Sequence, residues 1–218
     1  IPDNLTFEQA AAIPEAWITA YDNLFNWGKL AVGENVLIHG GSSGIGTAAI
    51  QLARWCGATP FVTVGSDEKA HACKQLGANA INYRSHKWVT ELERLSNGQG
   101  VNVILDIIGA KYFADNLKSL SIEGRLVIIA TMGGATSELD LRTIMSKRLK
   151  IMGTTLRARP LANKIALTRQ IEHEILPRFA DGTLQPIIHA VYDLTDAGHA
   201  HEVMESSLHV GKIVLRVF

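Results

Sequence analysis

Cysteine is nearly missing from this chain: Cys56 and Cys73 are the two thiols in 218 residues. They form no C-x-x-C pair, which excludes a disulfide framework and a thiolate metal knuckle; they read as reduced, packed thiols of a cytoplasmic protein. Net charge is missing as well, because 21 Lys and Arg balance 21 Asp and Glu. With no basic run to concentrate positive potential, no nucleic-acid partner is expected. No apolar stretch approaches the ~18 residues of a membrane-crossing helix, so no membrane is expected either. The eight histidines make no H-E-x-x-H. His39 closes a predicted strand, His199 and His201 share a helix with Glu202, and His173-Glu174 lacks a second histidine, so no metal site is expected. The first residues, Ile1-Pro2-Asp3-Asn4, carry neither signal-peptide features nor an initiator Met and read as a cut end. Repeats and low-complexity linkers are absent. What remains is a globular composition, 47% hydrophobic and 19% charged, with enough chain for one large domain or one and a half.

The informative stretch is Val36-Leu37-Ile38-His39 followed by Gly40-Gly41-Ser42-Ser43-Gly44-Ile45-Gly46. A short apolar run enters a glycine and serine cluster and leaves at helical spacing through Ile45, Ala48, Ala49, Leu52 and Ala53. Strand, glycine turn and helix is the context in which a glycine motif signals dinucleotide binding. The turn brings backbone N–H groups and the positive end of a helix against a pyrophosphate. In the G-x-G-x-x-G frame Gly41 and Gly46 fit, and Ser43 takes the place of the middle glycine. Its side chain is small enough for close approach, and its hydroxyl can donate to a phosphate oxygen. A plain strand-to-helix turn is the competing reading.

Around this motif the pattern alternates. Thr6 with Gln9 predicts a helix start, and Pro14 splits the helical region 5–25 in two. Strands are predicted at 35–39, 60–65, 80–83, 101–109, 125–130 and 149–155, with helices after the glycine turn and near 67–76, 86–95, 111–120 and 140–147. Asp67 sits at a natural cap position for the 67–76 helix. The fourth strand is continuously apolar, as expected when both faces are covered. The fold class is therefore α/β, a doubly wound, parallel six-stranded (Rossmann) sheet with helices on both faces. Beyond it lie a predicted helix at 161–180, an extended stretch at 184–191, a helix capped by Thr195, and a last strand alternating Ile213, Leu215 and Val217.

Gly44-Ile45-Gly46 also resembles the motif of short-chain dehydrogenases, but its position argues against them. Those enzymes need a Tyr-x-x-x-Lys well downstream; here that spacing occurs at Tyr83 to Lys87, too early in the fold. The segments Ala10 to Tyr21, Gly33 to His39, Gly41 to Ala53, Leu76-Gly77-Ala78, Asn82-Tyr83, Gly124-Arg125 and Gly211 to Leu215 together resemble the medium-chain dehydrogenase/reductase superfamily. Within it they are most similar to the zinc-free quinone oxidoreductases, down to the serine of the p53-inducible quinone oxidoreductase subgroup. The zinc-dependent members carry a cysteine ligand four residues before the threonine that corresponds to Thr19; here that position is Glu15.

The resemblance implies a domain plan: a leading segment 1–16 from a catalytic domain, an NADP-binding domain 17–155, and a tail 156–218 that returns to that absent domain. It implies hydride transfer from NADPH to a small-molecule quinone or related carbonyl, with 2-enoyl thioester reduction, or a non-catalytic nucleotide-binding module, as alternatives. The residues after the second strand agree with NADPH. An acidic residue there would select NAD(H) through the ribose 2′-OH. Here Gly65 leaves space, Ser66 can donate and Lys69 supplies charge one helical turn on, and the resemblance adds Tyr83 from the next strand; the competing reading is a solvated Lys69 behind an Asp67 cap. Further cofactor contacts are expected at Thr19, Ser43, Gly44, Ile45, Ile108, Gly109, Ile129, Met132, Gly133 and Leu156, mostly at carboxyl ends of strands. No catalytic acid or base is named. The resemblance also implies a homodimer through the edge of the sixth strand.

Overall fold

The computed structural model describes residues 1–217. The first helix, α1 (Phe7–Ala11), begins with the reciprocal cap expected of Thr6 and Gln9: each side chain accepts from the other's backbone N–H. Pro14 has no N–H to give, so it opens a second helix, α2 (Pro14–Tyr21), at its first position. That helix then widens into a π-helical segment, Asp22–Trp27, which the sequence pattern did not indicate.

Strands and helices alternate from there: β1 (Asn35–His39), α3 (Gly44–Trp55), β2 (Thr59–Val64), α4 (Asp67–Gln75), β3 (Asn79–Asn82), α5 (Trp88–Leu95), β4 (Val101–Asp106), α6 (Ala110–Ser119), β5 (Leu120–Ile128), α7 (Leu141–Lys147) and β6 (Lys150–Gly153). All six strands run parallel in the order β3-β2-β1-β4-β5-β6. The order reverses between β1 and β4, which opens a crevice at the carboxyl ends of the strands.

Adjacent residues of a strand point to opposite faces, and here both faces are covered. Val36, Ile38, Val62, Val64, Val103 and Leu105 join one core with Trp17, Ile50, Leu52 and Cys73 from α2, α3 and α4. Leu37, Phe61, Ile104 and Leu126 join a second core with Trp88, Leu92, Phe113 and Leu117 from α5 and α6. Each fully buried Leu or Ile contributes roughly 1.5–3 kcal/mol, which explains why these runs contain so few polar residues.

Four expectations need correction. β5 begins at Leu120, ahead of the predicted start at 125: its register with β4 jumps from Val101↔Leu120 to Val103↔Arg125. The extra residues bulge outward with Glu123 at φ 61°. The single helix expected at 161–180 is two, α8 (Leu161–Glu174) and α9 (Leu176–Ala180). Pro177 offers no N–H, and its ring crowds the carbonyl four residues back. Thr195 caps nothing. It lies inside a 3₁₀ turn, Leu194–Asp196, after β7 (Ile188–Asp193), and α10 (Ala197–Glu205) starts without a side-chain cap bond. The last strand, β8 (Lys212–Arg216), pairs in parallel with β7 and buries Val214, while Val217 is exposed; a two-stranded sheet has one covered face, and Val214 is on it.

The C-terminal elements are anchored on this chain's own core. Leu167, Ile171, Ile175, Phe179 and Leu184 are buried in the same cluster as β1 and β2, and the Phe179 ring meets Trp17 edge-on with centroids 4.7 Å apart. These contacts fix where the chain re-emerges to form β7 and β8 beside the crevice.

Candidate functional site

The turn between β1 and α3 is held from three sides. The N–H groups of Gly40 and Gly41 both donate to the Thr63 carbonyl, at 3.0 and 3.1 Å. Ser43 is the N-cap of α3, and its Oγ accepts from the Gly46 N–H at 3.0 Å. The glycine at 211 donates its N–H to the Ser42 carbonyl at 2.8 Å, tying the C-terminal segment to the turn. Ser43 and Gly211 form a parallel bridge, which turns the Gly44 N–H toward the Gly211 carbonyl; the Ile45 N–H, at the second helical position, has no hydrogen-bond partner among the described residues. A free donor at the positive end of a helix makes a site that favours an anion.

At the end of β2 the chain prepares a second one. Ser66, and not Asp67, caps α4: its Oγ accepts from the Lys69 N–H at 3.3 Å. Asp67 instead accepts from the Asn82 side-chain amide at 2.8 Å, because its place one residue inside the helix turns it toward β3. Gly65 is tightly covered; a Cβ there would lie 2.7 Å from the Tyr83 hydroxyl and 3.7 Å from Arg84 Nε. Lys69 donates through Nζ to the Ser207 carbonyl. Burial, and then the nearby Arg84 charge, hold its pKa below the ordinary lysine value. Tyr83 and Arg84 thus fill the space expected over Gly65, while Lys69 lines the same cleft and Ser66 caps the helix between them.

A cleft of about 460 Å³ joins the two anion sites and is lined by Ser43, Gly65, Lys69, Tyr83, Ile108, Met132 and Gly133, all expected from the sequence. It continues into a second recess of about 380 Å³ bordered by Ser43, Gly44, Ile45, Met132 and, at the head of α2, Glu15 and Ala16. Gly109 follows the lining at φ 76°, where a Cβ would meet the Gly134 carbonyl at 2.7 Å. Thr19, Ile129 and Leu156 do not line either recess; Ile129 and Leu156 pack against the first core.

Sequence reasoning missed the far wall. Met204 from the last turn of α10, and Ser207 and His209 from the stretch after it, line the cleft, and the Lys212 stem of β8 covers Gly44. Gly211-Lys212 was legible as a motif, but its position against the glycine turn depends on the anchoring of α8 and α9. Arg84 was missed although it adjoins Tyr83. Cys73 is not a reactive candidate: burial pushes its thiol up to about 12.

A parallel sheet in this strand order, with a capped glycine turn at the reversal and cations beyond the second strand, defines the nucleotide-binding domain of an oxidoreductase. The chain belongs to the medium-chain dehydrogenase/reductase superfamily: residues 44–169 match the family model described as zinc-binding dehydrogenase. It is 31% identical over 219 residues to the quinone oxidoreductase of Homo sapiens, covering 99% of this chain and 64% of that protein. The Escherichia coli quinone oxidoreductase, solved in complex with NADPH, superposes with a TM-score of 0.86 at 29% identity, over 99% of this chain and 67% of the other. The JamJ enoyl reductase superposes equally, with a TM-score of 0.86 at 30% identity, over 99% of this chain and 64% of that one. The chain thus spans 64% of the curated quinone oxidoreductase and about a tenth of the polyketide synthases that it also matches. Among the described residues no group of three or more His, Cys, Asp or Glu side chains is placed to hold a metal ion.

Proposed function

We propose that this chain forms the NADPH-binding part of a quinone oxidoreductase. The meeting of Gly65, Lys69 and Tyr83 in one cleft, with Ser66 beside them as the cap of α4, is the observation that carries the cofactor assignment. A 2′-phosphate needs cations and hydroxyl donors, and an acidic residue at Gly65 would repel it. The Ile45 N–H and the positive end of α3 would take the pyrophosphate, with Gly44 allowing close approach and Ser43 shaping the turn. Ile108, Gly109, Met132 and Gly133 would border the bridge between the two nucleosides, and Thr19, Ile129 and Leu156 would meet it once the cleft is completed. NADPH supplies a hydride, and the protein's part is to bind, orient and exclude water. Lys69 would release the Ser207 carbonyl to take the phosphate. The protein would be cytoplasmic and zinc-independent, and dimeric through the free edge of β6. On this reading residues 1–16 and 156–218 complete a substrate domain around the Rossmann core of 17–155.

The likeness to the JamJ enoyl reductase favours a second reading, reduction of a 2-enoyl thioester. Both readings use the same cofactor cleft and differ in the electrophile. NADPH oxidation by the whole protein, followed with 1,4-benzoquinone, 1,2-naphthoquinone and crotonyl-CoA, separates them. The quinones are expected to turn over faster; faster turnover of crotonyl-CoA overturns the assignment.

A further inference from the structure

Beneath the crevice lies a chain of buried polar side chains that no cofactor contact accounts for. His39, Thr63, Asp106 and Asn116 are each at most 1% exposed. They come from four elements, the last residues of β1 and β4, the penultimate residue of β2, and α6, and they meet where the strand order reverses. His39 Nδ1 lies 2.9 Å from Thr63 Oγ1, and His39 Nε2 lies 2.8 Å from Asn116 Oδ1. The Asn116 amide nitrogen donates to Asp106 Oδ2 at 3.1 Å. Asp106 Oδ1 in turn accepts from the Ile108 N–H at 2.7 Å, and both carboxylate oxygens lie 3.2 Å from the Gly109 nitrogen.

Donor and acceptor chemistry sets the direction of most of these bonds. A carboxylate only accepts, so Asn116 must turn its NH₂ to Asp106 and its carbonyl to His39. His39 must then carry a proton on Nε2, and in the neutral ring Nδ1 accepts from the Thr63 hydroxyl. The Thr63 hydroxyl could instead accept from a charged ring, so burial decides: it pushes the His39 pKa below the ordinary value, against the Asn116 hydrogen bond and the Asp106 charge, and favours the neutral form. Trp88 and Tyr112 clasp the ring, each with its centroid 5.0 Å away, so it has no space to turn over.

We propose that His39, through Asn116 and Asp106, is a positioning residue for the cofactor cleft, holding the Ile108 and Gly109 N–H groups and the loop that carries them. The inference rests on the cleft being the NADPH site. Thr63, Ile108 and Tyr112 all line that cleft, so one hydrogen-bonded chain sets its floor from beneath. Gly109 takes its φ of 76° with its N–H directed at both Asp106 oxygens, so the carboxylate ties down the turn that leaves the strand. His39 touches no reacting atom and takes no part in proton transfer.

The test uses the full chain. Nitrogen NMR of the wild type should show His39 as the Nε2–H tautomer, unchanged from pH 8 to pH 5.5; an Nδ1–H tautomer, or titration in that range, overturns the polarity. His39→Leu should speed amide exchange at Ile108 and Gly109 about tenfold or more and weaken NADPH binding about tenfold, with partial recovery of both in His39→Gln, which keeps one donor and one acceptor. Leu92→Ala, a cavity in the second core away from the cleft, should lower the melting temperature without either effect. Unchanged exchange at 108 and 109 in His39→Leu, or the same acceleration in Leu92→Ala, reduces His39 to a packing residue. If His39→Leu fails to fold, the tautomer measurement and His39→Gln still decide. If the wild type binds no NADPH, the exchange and tautomer results stand while the cofactor assignment falls.

Discussion

Gly41, Gly44 and Gly46 look alike in the motif and differ in what surrounds them. A Cβ on Gly41 would lie 2.5 Å from Val62 Cβ, and one on Gly46 would lie 2.4 Å from the Gly40 carbonyl oxygen. These two glycines let strand and helix pack closely, so they belong to folding. A Cβ on Gly44 would meet the Lys212 stem at 2.4 Å, and a flexible stem can move aside. Gly46→Ala should therefore destabilise the chain by about 1–3 kcal/mol in denaturant melts, as overpacking against backbone does. Gly44→Ala should stay within about 0.5 kcal/mol of wild type. The reverse ranking would show that the turn is not packed as described. At this scale the sequence was readable where a residue's meaning is local, as for Ser43, Gly65 and Lys69. It was silent on His209 and on where the Gly211-Lys212 motif would lie, because both reach the cleft through distant anchoring.

At the scale of elements, the six strands were legible because each is a short apolar run between turn residues. The elements that misled are those where an irregularity is set by packing: the π segment at Asp22–Trp27 and the bulged start of β5. Pro177 differs, since the helix break was written in the sequence and outweighed by the apolar spacing on both sides. The free edge of β6 can be read more finely. The Thr154 N–H donates to the Ile128 carbonyl at 3.0 Å, so by the strand's period of two Met152 also turns its N–H toward β5. The N–H groups of Ile151 and Gly153 turn outward, where pairing with a second copy would use them. Gly153 has open space around its Cβ position. Gly153→Pro is expected to convert a dimer to monomer in sedimentation velocity, with helix content and melting temperature near wild type. A dimer that survives this change is held by another surface.

For the whole molecule, pH reports how its parts depend on one another. Burial is the first cause of a lowered pKa at both His39 and His209, with the Lys69 charge adding to the second. Folding favours the neutral form of both rings, while the unfolded chain protonates them below about pH 6.5. Their contribution to stability is thus complete above pH 6.5 and is lost as pH falls toward the folded values. For the fully buried His39 the limiting slope is about 1.4 kcal/mol per pH unit. Melting temperature should fall from pH 6.5 to 5, before the carboxylates titrate, and His39→Gln should flatten that fall. An unchanged slope in the variant would place the pH dependence elsewhere.

The doubly wound sheet and the nucleotide cleft were legible because alternation and the glycine turn are written locally. The roof of that cleft was not, because β7, α10 and β8 reach it through tertiary contacts. The claim on which everything else rests is that Lys69, with Gly65 and Ser66, selects NADPH. Calorimetric titration of the chain and of Lys69→Ala with NADPH and NADH tests it most directly. A charge-assisted contact contributes about 1.5–3 kcal/mol, so wild type should prefer NADPH and the variant should lose about 10- to 100-fold for NADPH alone. Equal affinities in the wild type, or equal losses for both cofactors in the variant, would contradict the account.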